Sequence, residues 1–252
     1  MKSKGEGMAI HTARRALFLF DLHVPTESKK CIAIAKEFRD DFRPDIVVAG
    51  GDWQNVDQLD RFSNESETAL LDEFEKVKYY VELFGVTHYL EGNHEERLRR
   101  IGLTDKRLRS LLSLDRNLEL SKRGIPIFPY HPKKGILKLG KLKVLHGFYT
   151  NKYVAAKTAE AFGCCIFGHS HVFQTYTPKI SDKWSTGWSI GCMCELIPSY
   201  MEKYGPNGWM NGFAFGYIYK SGNFSLYPVR IIGGRIMIND KEYTYGVATD
   251  ES

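Results

Sequence analysis

Five short motifs place potential metal-binding side chains at intervals along the chain. They are Asp21-Leu22-His23, Gly51-Asp52, Gly92-Asn93-His94-Glu95, His146-Gly147 and Gly168-His169-Ser170-His171. Carboxylate, amide oxygen and imidazole together suit Mn, Fe, Co, Ni or Zn better than Ca or Mg. Asp21, His23, Asp52, Asn93, His146, His169 and His171 are too many ligands for one such ion, but enough for two if one carboxylate is shared. Paired ions about 3.5–4 Å apart clamp both oxygens of an in-line displacement at phosphorus. Each motif alone is a weak signal, because Asp-x-His arises by chance and a single His is more often a packed or surface residue. His11, His88 and His131 illustrate that alternative, since they lack the flanking Gly of the motifs.

The motifs share a position, because each closes a run that reads as a strand. Ala16–Phe20 precedes Asp21, Asp45–Ala49 precedes Gly50-Gly51-Asp52, and Val86–Leu90 precedes the Asn93-His94 motif. Ile136–Leu139 and Leu142–Leu145 flank Gly140-Lys141 as a hairpin whose second arm leads into His146. Cys164–Phe167 leads into His169 and His171. Between these runs the spacing predicts helices over Lys29–Phe42, Ala69–Phe84 and Lys152–Phe162, with a charged helix beginning near His94. After residue 171 the pattern turns to strands: Val172–Thr177, Gly212–Lys220, Asn223–Ile231 and Arg235–Ile238. In open α/β sheets, ligands bind beyond the carboxyl ends of strands, so the elements would deliver all seven ligands to one rim. Asn55–Thr68 and Pro198–Asn211 are the long irregular stretches, where substrate contacts are expected.

Composition narrows the class. The chain has 252 residues, 43% apolar and 26% charged, which fits a globular α/β protein and excludes a disordered or collagen-like one. No linker-like shift or repeat interrupts it, so residues 1–252 are expected to form a single domain. No apolar run approaches the roughly 20 residues of a membrane span. Ala16–Phe20 is shorter than the roughly 7–15 residues of a secretory core, so no signal peptide is expected. The five cysteines, with pairs at Cys164-Cys165 and Cys192-Met193-Cys194, fit neither a zinc ribbon nor a disulfide framework. They read as reduced, buried thiols in a cytoplasmic protein. The net charge of +5 equals that of Arg97–Arg109, which holds six basic residues against Asp105 alone. That stretch is either a track for a polyanion or a solvated face.

The ordered series of motifs over residues 17–171 resembles the calcineurin-like metallophosphoesterase superfamily, in particular its small bacterial and bacteriophage members. The resemblance implies a four-layer α/β/β/α sandwich with the site at the strand ends and a β-rich C-terminal third. It implies one ion on Asp21, His23 and His171, a second on Asn93, His146 and His169, and Asp52 bridging them. His94 would be the general acid beside the leaving group. The sequence departs from the Ser/Thr phosphatase branch, which continues Gly-Asp-x-x-Asp-Arg. Here Asn55 and Val56 stand at the last two positions of that pattern, which argues against a protein phosphatase. The closing Gly-His-Ser-His resembles the phosphodiesterase and nuclease branches.

The expected function is therefore phosphodiester hydrolysis by a metal-activated hydroxide, with a proton from His94 to the leaving alkoxide. Mn²⁺ is the expected ion, with Fe, Ni, Co and Zn as alternatives. A phosphomonoesterase of nucleotides or small molecules, and a nuclease using the basic stretch 97–109, are the alternative readings. A scaffold without catalysis is disfavoured because every ligand position and His94 are filled. Arg97, one turn after His94, and Asn55 are candidate substrate contacts. Glu95 and Asp57 are candidates to orient His94, and Glu95 alternatively complements the start of a helix. Trp53 and Phe62 suit either a lid or core packing. Cys192 and Cys194 share one face of an extended segment and read as packing. The expected partner is a phosphate ester, with nucleic acid as an alternative and no membrane.

Overall fold

The computed structural model describes residues 13–59, 69–179, 185–197 and 207–246. Strand β1 covers Ala13–Leu19 and alternates its faces. Leu17 and Leu19 enter one hydrophobic core, while Ala16 and Phe18 enter another. Strand β2 (Ile46–Ala49) and strand β3 (His88–Leu90) lie parallel to β1, and the short β4 (Ile127–Phe128) lies parallel to β3. Helix α1 covers Lys29–Phe42, as its spacing predicts, and stops at Arg43, which adopts a left-handed backbone just before Pro44. Helix α2 covers Leu70–Phe84 and ends at Gly85, whose φ of 64° favours Gly. Helix α3 (Asn93–Thr104) and the short α4 (Leu114–Leu118) follow β3 in sequence.

The second sheet begins with the hairpin of β5 (Leu137–Leu139) and β6 (Leu142–Val144). Helix α5 (Val154–Phe162) leads to β7 (Cys165–Phe167), which is parallel to β6. Strands β8 (Phe173–Tyr176) and β9 (Gly187–Ile190) complete the order β5-β6-β7-β9-β8. The chain then returns to the first sheet. Strands β10 (Gly212–Tyr219) and β11 (Phe224–Arg230) give it the order β11-β10-β1-β2-β3-β4. A two-stranded ribbon of β12 (Arg235–Ile238) and β13 (Lys241–Thr244) packs against α1.

Three cores define the layers. Leu17, Leu19, Val47 and Ala49 of the first sheet meet Ile34, Phe38, Phe74, Val77 and Val81 of α1 and α2. Phe18, Phe20, Ile46 and Val48 meet Leu142, Val144 and Ile166 between the sheets. Cys165 and Phe167 meet Val154 and Ala155 of α5. This is the four-layer α/β/β/α order that the resemblance implied, with a C-terminal third of strands. Burying each Leu, Val or Phe side chain contributes about 1.5–3 kcal/mol, so the alternating faces of β1 glue two layers at once. Among the described residues no helix is long and apolar enough to cross a membrane.

The structure adds elements that the periodicity did not reveal: α4, β4, β9 and β13. It also divides the strand-rich third between both sheets. The basic stretch is not one helical face, because α3 ends at Thr104 and turns follow.

Candidate metal centre

Parallel pairing aligns the carboxyl ends of β1, β2 and β3 in one sheet, and of β6 and β7 in the other. Each motif begins within two residues of such an end. The loops are then stitched together through their backbones. Asp21 N–H donates to Gly51 O at 3.1 Å, His23 N–H to Asp52 O at 3.0 Å, and Gly168 N–H to His146 O at 2.8 Å. Five of the site residues adopt left-handed backbone conformations: Asp21, His23, Asp52, His169 and His171, with φ between 49° and 65°. Asp and His tolerate this region better than most residues, and backbone strain concentrates where a site demands a particular direction. Gly92 and Gly168 permit close approach. A Cβ on Gly92 would lie 2.1 Å from Asp52 Oδ1, and one on Gly168 2.1 Å from Asp21 Oδ2.

All seven proposed ligands converge. Asp21, His23 and His171 form one group of donor atoms within 4.8 Å of one another, and Asp52, His146 and His169 form another. His171 Nε2 lies 3.6 Å from Asp21 Oδ1 and 3.1 Å from His23 Nε2. Asn93 Oδ1 lies 3.2 Å from His146 Nε2. Asp52 stands between the groups, with Oδ2 at 3.1 Å from His146 Nε2 and 3.8 Å from His23 Nε2. Its other oxygen accepts the His94 backbone N–H at 2.9 Å, at the start of α3.

The donor set fits a pair of divalent cations. Asp21 Oδ1 is buried without a hydrogen-bond partner, while Oδ2 accepts the His169 N–H at 2.9 Å. A buried carboxylate oxygen without a partner is costly, and a cation removes that cost. The imidazoles are prepared for ligation, since His146 Nδ1–H donates to Gly50 O at 3.0 Å and His23 Nδ1–H to Asn55 Oδ1 at 3.1 Å. Each leaves Nε2 facing the cluster, the usual way an outer partner selects the ligating nitrogen.

Burial pushes His169 down to about 4 and His23 well below its ordinary range. Burial also opposes a charge on His146, but Asp52, Asp21 and Glu95 outweigh it and hold that imidazole up at about 9. An ion at His146 Nε2 must displace this proton. The proton is present below about 9 and released on binding, so affinity is expected to rise with pH and level off above that value. One released proton gives about a tenfold gain per pH unit. Calorimetric titration with Mn²⁺ in buffers of different ionisation enthalpy measures this directly, and a pH-independent affinity below that range would contradict it.

His94 stands at the mouth of the cluster, its Nε2 3.9 Å from Asp52 Oδ2. Its orientation corrects the sequence reading, since neither Glu95 nor Asp57 holds the imidazole. Nδ1–H donates to the backbone carbonyl of Asn55 at 2.5 Å. The Asn55 side chain is engaged too, by His23 through Oδ1 and by the Asp57 carboxylate through Nδ2. Asn55 is buried and positions two histidines, His23 through its side chain and His94 through its carbonyl.

Glu95 has a different task. Its carboxylate accepts the backbone N–H groups of Asp52, Trp53, Gln54 and Gly92 at 2.8–3.2 Å, which clamps the loop carrying Asp52. Burial and the nearby Asp52 push its pKa up to about 7, against the N–H donors that favour the ionised form.

Trp53 belongs to the core, fully buried against Phe84 and Tyr89 with its indole N–H on Leu19 O. Phe62, like residues 60–68 and 198–206, lies outside the described residues. Arg97 is half-buried on α3. Among the neighbouring charges, Arg99 pairs with Glu91 and Glu96, and Arg107 pairs with Asp105. Sequence reasoning missed Trp209, whose ring centroid lies 4.1 Å from that of His171, and Tyr130, 5.7 Å from His146. No spacing rule singles out either one.

No family model matches the chain, and no curated protein matches it. Among solved structures, it is similar to vacuolar protein sorting 29 from Cryptosporidium parvum, with 13% identity over 93% of this chain and 100% of that one and a TM-score of 0.49. A conserved uncharacterised protein from Streptococcus pneumoniae TIGR4, described as a predicted phosphoesterase, matches with 14% identity over 88% and 99%, at a TM-score of 0.36. Yfce, a phosphoesterase from E. coli, matches with 13% identity over 85% and 98%, at a TM-score of 0.41.

Proposed function

We propose that this chain is a metal-dependent phosphoesterase with a two-ion centre, and that its substrates are phosphodiesters. The observation that carries the reading is Asp52, one carboxylate oxygen of which faces both ligand groups beside the unpartnered buried oxygen of Asp21. Asp21, His23 and His171 would hold one ion, Asn93, His146 and His169 the other, and Asp52 would be shared. When bound, two divalent ions supply an activated water and neutralise charge on the phosphoryl oxygens.

The chain's own residues do the rest. With Nδ1–H committed to Asn55 O, the transferable proton of His94 sits on Nε2, on the cluster side. From there it can reach the oxygen of a leaving group. Glu95 keeps Asp52 and the backbone of α3's first turn in register while charge redistributes. Val56, where the phosphatase pattern has Arg, is buried in the core beneath α2. No guanidinium from that position can bind the dianion of a monoester, which favours the singly charged diester. A cytoplasmic location belongs to the same reading, in which Cys31, Cys165, Cys192 and Cys194 are buried, reduced thiols.

Chelation is expected to abolish turnover and Mn²⁺ to restore it, with Fe, Ni, Co and Zn compared in parallel. With Mn²⁺ bound, kcat/KM for bis-(p-nitrophenyl) phosphate is expected to exceed that for p-nitrophenyl phosphate. The reverse order by tenfold, about 1.4 kcal/mol in the barrier, would put the monoesterase first.

A further inference from the structure

His171 belongs to two groups of side chains. Its Nε2 faces Asp21 and His23. A second group shares the residue: a His171 ring nitrogen and the sulfurs of Cys192 and Cys194 all lie within 4.8 Å of one another. Nδ1 of His171 is buried without a hydrogen-bond partner, so it is the donor left over once Nε2 is committed to the carboxylate side. Both cysteines are free thiols, 0% and 2% exposed, and His171 is 6% exposed.

The segment that carries the sulfurs is fixed. Residues i and i+2 of an extended segment point to one side, which explains why Cys192 and Cys194 converge around Met193. Asn211 Nδ2 donates to the carbonyls of Cys192 at 3.3 Å and Cys194 at 2.8 Å. Met193 N–H donates to Asp21 O at 3.0 Å, which ties the sulfur segment to the ligand loop of the neighbouring cluster. The two ligand sets differ in kind. Carboxylate, amide and imidazole suit harder divalent ions, whereas two sulfurs with one nitrogen select a soft, thiophilic ion. A Cys₂His set is also one of the arrangements that hold zinc with a fourth position open.

We propose that His171, Cys192 and Cys194 form a separate metal site for a thiophilic ion, Zn²⁺ being the expected one, and that it shares His171 with the phosphoesterase centre. Both cysteines are buried, as the packing reading expected, and the proposal adds a ligand role to that packing. Binding deprotonates both thiols, and the protons pass to solvent. With Nε2 also ligated, His171 gives up its remaining N–H and bridges the two sites as an imidazolate, so loading of one alters the affinity of the other.

Cobalt titration of the full, reduced, metal-free chain tests this. Cobalt on thiolate gives an intense sulfur-to-metal charge-transfer band in the near ultraviolet, and cobalt on carboxylate and imidazole gives only weak visible bands. The wild type is expected to show the charge-transfer band, saturating with about one cobalt per chain beyond those that produce the weak bands. Zn²⁺ should bleach it. Cys192→Ser and Cys194→Ser should each lose most of the band, and Cys31→Ser should keep it. Should the serine variants misfold, X-ray absorption of the cobalt-loaded wild type serves instead: sulfur in the first coordination shell is expected, and a shell of oxygen and nitrogen alone overturns the site. Weak visible bands without charge transfer also overturn it, while leaving the two-ion centre intact. Persistence of the band in a Cys192→Ser, Cys194→Ser double variant overturns it as well. A charge-transfer band with no other cobalt bound would sink the two-ion reading and leave the sulfur site standing.

Discussion

Replacing Asp52 by Ala is expected to lower ion content at both ligand groups together and to reduce phosphodiester turnover by more than about 100-fold. The geometry sets that expectation. Asp52 Oδ2 is 3.1 Å from His146 Nε2 and 3.8 Å from His23 Nε2, so one carboxylate serves both groups. Loss of residues that only support a ligand already costs about 10–100-fold in affinity or activity, and a shared ligand should cost more. The variant also loses the acceptor for the His94 backbone N–H, and Ala is strained at a φ of 49°. Asp52→Asn separates these effects, because Asn tolerates that backbone and can still accept the N–H, while the bridging charge is gone. Metal analysis after exhaustive dialysis is the measurement. Full occupancy of both groups in either variant would remove the bridging role. Loss from one group only would reassign Asp52 as an ordinary ligand.

His94→Asn is expected to keep both ions and to lose activity in proportion to the basicity of the leaving group. An aryl oxide such as p-nitrophenolate is stable near neutral pH and needs little help, whereas a sugar alkoxide is strongly basic. General acid catalysis contributes about 10²–10⁴-fold where the proton is needed. A nucleotide diester should therefore lose about that factor, and bis-(p-nitrophenyl) phosphate much less. His169→Asn should instead depress both substrates alike, since His169 stands in the ligand group of Asp52 and His146. If His94→Asn damaged both substrates equally with the ions retained, His94 would be a phosphate-binding residue or a guide for the nucleophile.

Much of this architecture was legible in the linear chain because its signals are local. Helix α1 was readable to the residue, since the period of Ile32, Ile34, Ala35 and Phe38 and the stop before Pro44 lie within one segment. The convergence of the proposed ligands was readable for a related reason. In a parallel sheet the carboxyl end of each strand falls on the same side, so motifs that close successive apolar runs must meet. Side-chain type then restricts the chemistry, because Asp, Asn and His in that number suit few tasks other than holding transition-metal ions.

What only tertiary structure decided is non-local. Strand β4 has two residues and carries no period of its own; it exists because Tyr89 and Leu90 offer Ile127 and Phe128 a parallel edge. The return of β10 to the first sheet depends on Ala13–Phe18 pairing antiparallel with Ala214–Tyr219, a match between opposite ends of the chain that no window of sequence contains. The same holds at the site. The carbonyl that orients His94 belongs to Asn55, and a backbone oxygen has no residue-type signature. Glu95 looks like an ordinary first-turn acid, yet it accepts the N–H groups of Asp52, Trp53 and Gln54 from a loop more than forty residues away in the chain. The identities of the proposed ligands were thus legible in the sequence alone. Their orientation, their burial and the meeting of His171 with two sulfurs arise from contacts between segments far apart in the chain, which local periodicity does not encode.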